Sequence, residues 1–167
     1  LSFVKAGFEA SQELGLHTWG RGFTMAHAGN IQDQTFKRYP TRWTGDARVG
    51  WNQPDMPDTI NWAMGGLKEN IEMVANPGNP KYCIPFLTND TGGFRNGEPE
   101  DELYMRWTQF SVFNAIMEVF GSIRFEASNA PYTFSREAQE NFRFFTHLRM
   151  RLFPYIYTHA YLSRAAG

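Results

Sequence analysis

Residues 82–94 read Tyr82-Cys83-Ile84-Pro85-Phe86-Leu87-Thr88-Asn89-Asp90-Thr91-Gly92-Gly93-Phe94. The first seven form a short, nearly continuous apolar run, the pattern of a strand buried on both faces in a parallel sheet. A glycine-rich loop follows at once, with a carboxylate near its start. That combination, a buried strand discharging an acidic residue into a loop, sets the expectation for the whole chain.

Working outward, a helix is predicted on each side. Over residues 56–76, Ile60, Met64, Leu67, Ile71 and Val74 recur at alternating spacings of four and three, giving one apolar stripe. Asp55 and Asp58 suit the positive end of that helix, and Asn76-Pro77-Gly78 stops it. Residues 102–113 form a second helix with Leu103, Trp107 and Phe110 on one face, and residues 115–120 form a candidate strand. Ser135 can cap a last helix carrying Ala138, Phe142, Phe145, Leu148, Leu152 and Tyr155. Pro154 falls inside that stripe and is expected to kink or end it. Upstream, residues 2–14 carry a moderate helix signal closed by Gly15. Residues 16–27 are ambiguous, with a short strand at 23–27, and residues 29–36 form a polar loop.

Helices and strands thus alternate, which argues for an α/β protein with βα units around a parallel sheet. No glycine-rich phosphate loop follows a strand, so a nucleotide-binding sheet loses ground to a barrel. A whole (β/α)8 TIM barrel takes about 250 residues. Residues 1–167 are therefore expected to form the C-terminal part of one catalytic barrel domain, roughly units five to eight. The chain opens at Leu1 without Met or a charged leader, and reads as a segment of a longer protein.

Composition closes off other classes. There are 16 basic and 17 acidic residues, for a net charge of −1, so no basic face for nucleic acid is expected. No polybasic run or long apolar stretch points to a membrane. Cys83 is the sole cysteine, so no internal disulfide can form. Histidines His17, His147 and His159 lack metal-ligand spacing, and no metal or other cofactor is implied.

Two loops carry candidate chemistry. One is Arg42-Trp43-Thr44-Gly45-Asp46, with a flat apolar ring, a glycine for close backbone approach and a carboxylate. The other is the loop holding Asp90. Each alone also reads as an ordinary turn or cap. The two carboxylates lie 44 positions apart, about one βα unit with long loops, so both can face one cleft. Glycoside hydrolysis needs two carboxyl groups flanking the scissile bond, about 5–5.5 Å apart when configuration is retained.

The order RYPTRWTGD, LTNDTGGF, DELYMRWTQFSVF, LRMRLFPYIYTHA resembles glycoside hydrolase family 31, a family of α-glucosidases, α-xylosidases, α-galactosidases and α-glucan lyases. The resemblance runs from about Arg21 to Tyr157. It implies that Asp46 is the general acid/base and that Trp43 lies near the sugar of the −1 subsite. Asp90 and Phe94 fall on the family's Asp-x-Gly-Gly-Phe motif, the Phe lining the pocket. Glu102, Leu103, Arg106 and Trp107 match a helix that we read as structural.

Three departures qualify what the resemblance implies. The family's nucleophile motif is absent, so a nucleophile is expected upstream of Leu1 and the 167-residue piece is expected to be inactive alone. His27 stands where the family usually has an arginine contacting the sugar. The usual Arg-x-His of the eighth strand reads Glu118-Val119-Phe120. The implied protein is a retaining, exo-acting α-glycoside hydrolase acting on an oligosaccharide or glycoside, with Trp43, Phe94 and Phe120 walling the pocket and Asp90 and His27 as polar contacts. Two alternatives stay open: an α-glucan lyase or transglycosylase on the same scaffold, and a non-catalytic carbohydrate-binding member.

Overall fold

The computed structural model describes residues 2–18, 25, 41–52, 65–75, 86–95, 97–121 and 128–166. Its elements are α1 (Ser2–Thr18), β1 (Thr41–Trp43), α2 (Leu67–Ala75), β2 (Phe86–Thr88), α3 (Asp101–Ser111), a 3-10 turn (Pro131–Thr133) and α4 (Arg136–Ala166). The expected strand at residues 23–27, apart from Met25, which is exposed and not in a strand, the loop at 29–36 and the first half of the 82–88 run lie outside the described residues.

β1 and β2 pair in parallel, with Thr41 opposite Phe86, Arg42 opposite Leu87 and Trp43 opposite Thr88. Parallel neighbours need a crossover rather than a hairpin, and α2 lies between them in the chain. The pairing continues beyond the strands: Arg48 bridges Arg95, and Asp90 bridges Glu118, both in parallel. Of the strand expected over residues 115–120, only that Glu118 bridge forms. Three chain segments thus leave one small sheet side by side, at Trp43, Thr88 and Glu118. Their exits carry the acidic loops.

The helix expected over residues 56–76 begins, in its described part, at Leu67. Gly65 has φ 28 and Gly66 is not helical, so the regular helix cannot extend back through them. The first amides of α2 are satisfied from elsewhere: Leu67 N–H donates to Gly50 O at 2.9 Å and Lys68 N–H to Trp51 O at 2.9 Å. Glu69 Oε2 accepts from Gly66 N–H at 2.8 Å, a short-range cap. Leu67 is buried, whereas Ile71 of the expected stripe is exposed.

α3 matches its expected face. Leu103 and Trp107 are buried and pack with Ala47 and Leu67, and Phe110 packs against them half-buried. Asp101 and Glu102 occupy its first turn, where acidic groups offset the helix dipole. α4 starts as expected, with Ala138 N–H donating to Ser135 Oγ at 3.3 Å. It is seated on α3 by Tyr104, whose ring stacks on Phe134 at 3.9 Å and Phe142 at 6.0 Å. Arg149 reaches back from α4 to three carbonyls, Val112 at 2.9 Å, Asn114 at 2.6 Å and Ala115 at 3.0 Å. That ties the helix to the segment entering Glu118.

One helix runs past its expected end, and another does not end at its proline. α1 runs through Gly15 to Thr18; one glycine costs a helix only about 1 kcal/mol. α4 runs through Pro154 to Ala166. Pro154 lies where the helix is exposed, as are Met150 and Phe153, so the carbonyl deprived of its N–H partner can turn to water.

The buried layer beneath the strand exits is mostly polar. Thr44, Asn70, Thr88, Asn89, Asp90, Thr91, Thr108, Ser111, Asn114 and Asn129 are all buried. Several of these groups bond one another, while Asn89 Nδ2, Thr108 Oγ1 and Asn129 Oδ1, among others, have no hydrogen-bond partner among the described residues. Trp107 Nε1 donates to Asn89 Oδ1 at 2.7 Å, and Thr44 Oγ1 to Asn70 Oδ1 at 3.0 Å. Asn129 Nδ2 donates to the carbonyls of Thr91 and Gly93.

Candidate active site

The turn that carries Asp46 leaves β1 at Trp43 and is locked on all sides. Thr44 N–H donates to Thr88 O at 3.0 Å, continuing the strand ladder. Gly45 has φ 105, a conformation that side chains disfavour. Ala47 O accepts from both Phe94 N–H at 2.8 Å and Arg95 N–H at 3.0 Å, and Val49 N–H donates to Arg95 O at 2.8 Å. The Trp43–Asp46 and Asp90–Phe94 loops, expected to share a cleft, are therefore hydrogen-bonded to each other along their length.

Asp46 is ion-paired with Arg95. Nε donates to Oδ2 at 2.6 Å and Nη2 lies 2.5 Å from the same oxygen. Both side chains are largely enclosed, at 13% and 16% exposure. Among the described residues nothing bonds Oδ1 of Asp46, which leaves one carboxylate oxygen for an outside partner. Charge-assisted contacts of this kind are worth roughly 1.5–3 kcal/mol, enough to hold a short side chain in one rotamer. Arg95 was not foreseen as a site residue. Its only signal in the sequence is its place directly after the Gly-Gly-Phe run.

Asp90 sits at the start of the second loop with 0% exposure. Its Oδ1 accepts from Trp43 Nε1 at 2.7 Å and its Oδ2 from Ala47 N–H at 2.9 Å. Burial pushes its pKa up to about 7; the two hydrogen bonds oppose the rise, and the charges of Glu118 and Asp46 add to it. Glu118 is likewise pushed up to about 7, by burial above all, with the nearby Thr88 hydroxyl opposing. Among the described residues Thr88 Oγ1 and Glu118 Oε1 are buried without a well-formed hydrogen bond, so the hydroxyl opposes the rise only weakly. Glu118 thus joins the acidic cluster as a residue that the sequence marked only as a departure from the family pattern.

Phe94 and Phe120 come together edge to face, with ring centroids 6.4 Å apart. Phe120 is 40% exposed and Phe94 half-buried, so the pair forms a partly open apolar rim beside the carboxylates. The structure therefore gathers Trp43, Asp46, Asp90, Phe94 and Phe120 at adjoining strand exits. His27 lies outside the described residues. Among the described residues no group of three or more His, Cys, Asp or Glu side chains converges to hold a metal ion, and no helix is long and apolar enough to cross a membrane.

Residues 21–159 match the model of the glycosyl hydrolases family 31 TIM-barrel domain. The chain belongs to glycoside hydrolase family 31. Within the family it is 33% identical to an alpha-xylosidase of Saccharolobus solfataricus over 131 residues, covering 75% of this chain and 15% of that protein. It is 31% identical to a 1,6-alpha-glucosyltransferase of Sporosarcina globispora, covering 74% of this chain and 9% of the relative. It is 30% identical to the mouse lysosomal alpha-glucosidase, covering 78% and 12%. This family 31 chain thus spans only 9–15% of the length of these relatives. Among solved structures, a Flavobacterium johnsoniae GH31 dextranase complexed with glucose superposes with a TM-score of 0.62 at 26% identity, covering 92% of this chain and 18% of that one. A cycloalternan-degrading enzyme from Trueperella pyogenes superposes at 0.70 with 18% identity, covering 95% and 21%, a likeness of fold. The α/β sheet with parallel exits is accordingly part of a TIM barrel.

Proposed function

We propose that this chain supplies the acid/base side of the active site of a retaining, exo-acting α-glycoside hydrolase, with Asp46 as the general acid/base. The observation that carries the reading is the enclosed Asp46 carboxylate at a barrel-strand exit, gripped through Oδ2 by Arg95 and unbonded at Oδ1 by any described residue. Active sites of such barrels lie at the C-terminal ends of the strands. The names of the relatives, alpha-xylosidase and alpha-glucosidase, support an α-linked sugar as substrate.

In this reading the chain is the C-terminal part of one catalytic domain, about units five to eight of the barrel. The nucleophile comes from strands that precede it. Asp46 gives a proton to the glycosidic oxygen as the first bond breaks, then takes one from the incoming water. Trp43, Phe94 and Phe120 wall the sugar, and His27 offers a polar contact. No cofactor enters the chemistry. A second reading, transfer to a sugar hydroxyl in place of water, is supported by the glucosyltransferase among the relatives. The same Asp46 would then deprotonate that hydroxyl, and product analysis separates the two.

The test is Asp46→Asn in the complete catalytic domain. Turnover of substrates with poor leaving groups should fall by about 10²–10⁴-fold, because the amide moves no proton. Substrates with good leaving groups should keep their first step, and azide should restore the second. Equal loss on both substrate types with no azide effect would make Asp46 a structural residue.

A further inference from the structure

Asp90 has the composition of a sugar contact and the position of something else. At 0% exposure its carboxylate is closed off from any substrate, and both oxygens are already used. The two donors they serve are specific. Trp43 is the last residue of β1 and Ala47 directly follows Asp46. The Asp90 carboxylate therefore spans the two ends of the Trp43–Ala47 turn like a clasp, with Thr44, Gly45 and Asp46 held between.

We propose that Asp90 is a positioning residue, whose carboxylate fixes the indole of Trp43 and the placement of Asp46 rather than touching the sugar. The proposal rests on the reading of Asp46 as the acid/base. Only an acceptor without donors fits the place. Two N–H groups converge on one side chain, and a carboxylate offers them two acceptor oxygens. The amide of an asparagine would meet one of them with its own NH2. The loop that carries it is closely packed: a Cβ added at Gly92, two residues on, would come within 3.1 Å of the side chains of Asn129 and Tyr104. Asp90 is itself anchored: Gly93 N–H donates to its carbonyl at 2.9 Å, and its backbone bridges Glu118. The clasp thus transmits the position of the second and third strand exits to Asp46. The same cluster, with Asp46 and Glu118 as the acidic groups facing Asp90 and Arg95 as the cation on Asp46, sits under the Phe94–Phe120 rim.

A double-mutant cycle decides the matter. Asp46→Asn, Asp90→Asn and the pair are compared in the complete catalytic domain on aryl α-glycosides with poor and with good leaving groups. Asp90→Asn should lower kcat on the poor leaving group by about 10–100-fold with KM nearly unchanged, and should spare the good one. In the Asp46→Asn background the same change should cost no more than about twofold, since a positioning residue acts through the group it positions. Trp43→Phe, which removes one donor but keeps a ring, should give a smaller loss with the same leaving-group pattern; it keeps the test decisive should Asp90→Asn fold poorly. A rise in KM alone for Asp90→Asn would make it a sugar contact, and multiplying losses in the pair would make it independent of Asp46; either overturns the proposal. Should Asp46→Asn itself show no dependence on leaving group, the acid/base reading falls and the positioning role falls with it.

Discussion

Gly93 lies against the backbone of Val49, where the two acidic loops meet, and replacing it with alanine tests whether that approach sets the site. A Cβ at Gly93 would stand 2.8 Å from Val49 N and 2.9 Å from Val49 Cα and Cγ2. That is about 0.6 Å inside normal contact, and the obstacle is mainly backbone, so it cannot rotate away. Gly93 also has φ 89, which costs an L side chain about 1–2 kcal/mol. Pushing Val49 back strains the Val49 N–H to Arg95 O bond of 2.8 Å, worth about 0.5–1.5 kcal/mol. Gly93→Ala should therefore destabilise by about 2–4 kcal/mol in all. Gly97 is the control: its φ is 90, but among the described residues nothing lies within 4 Å of its added Cβ. Gly97→Ala should cost the backbone strain alone, about 1–2 kcal/mol. Thermal unfolding of both variants in the complete domain gives the comparison. Because Arg95 carries both the Val49 bond and the Asp46 ion pair, Gly93→Ala should also slow turnover of poor leaving groups, and Gly97→Ala should not. Equal losses of stability and activity for the two variants would refute the claim that close approach of the loops builds the site.

Other expectations follow from the same contacts. Arg149→Met removes the donors to the carbonyls of Val112, Asn114 and Ala115, and should destabilise by about 2–4 kcal/mol, visible as a lowered Tm. Arg149→Lys should recover only part of this, having one nitrogen in place of a planar fork. Asp90 and Glu118 titrate near 7 in the fold, against 3.8 and 4.5 as reference values. The folded state thus holds protons that the unfolded chain releases, so their contribution to stability is full in acid and is lost as pH rises through about 7. Glu118→Gln carries no such charge; its Tm relative to wild type should improve between pH 5 and pH 8. A Tm difference that is flat across that range would contradict the burial of Glu118 as a carboxyl.

Sequence pattern reached some of this and not the rest, for reasons visible in single residues. Leu103 and Trp107 are four apart on one helix face, and their burial follows from that period. Phe86–Thr88 is a strand, as its apolar run implied. Trp43, Asp46, Asp90, Phe94 and Phe120 were placed by motif resemblance, and the structure brings them together. What each does there was not legible. The Asp46–Arg95 pair joins positions 49 apart in the chain, and Asp90 meets Trp43 across 47, so no local period records either contact. Asn129, which bonds two carbonyls of the Asp90 loop, lies in an irregular stretch with no periodic mark at all. The late start of α2 did have a signal, the Gly65-Gly66 pair inside an otherwise periodic run, outweighed by the stripe around it.

The polar layer under the strand exits has a consequence for how this site can change over generations. An oily core tolerates repacking, because methyl groups have no preferred direction and volume is nearly all that counts. Thr44, Asn70, Asn89 and Asn129 are different: each sends at least one donor or acceptor to a defined partner, and a group that cannot make that bond loses the contact and strands the partner. Neutral drift through this layer should therefore be narrow, with substitutions arriving in matched pairs. The rim has no such constraint. Phe94 and Phe120 are only partly enclosed, and their rings carry no hydrogen-bonding group on which the layer depends. Libraries aimed at a new sugar would do best to vary those two and leave the layer beneath them untouched.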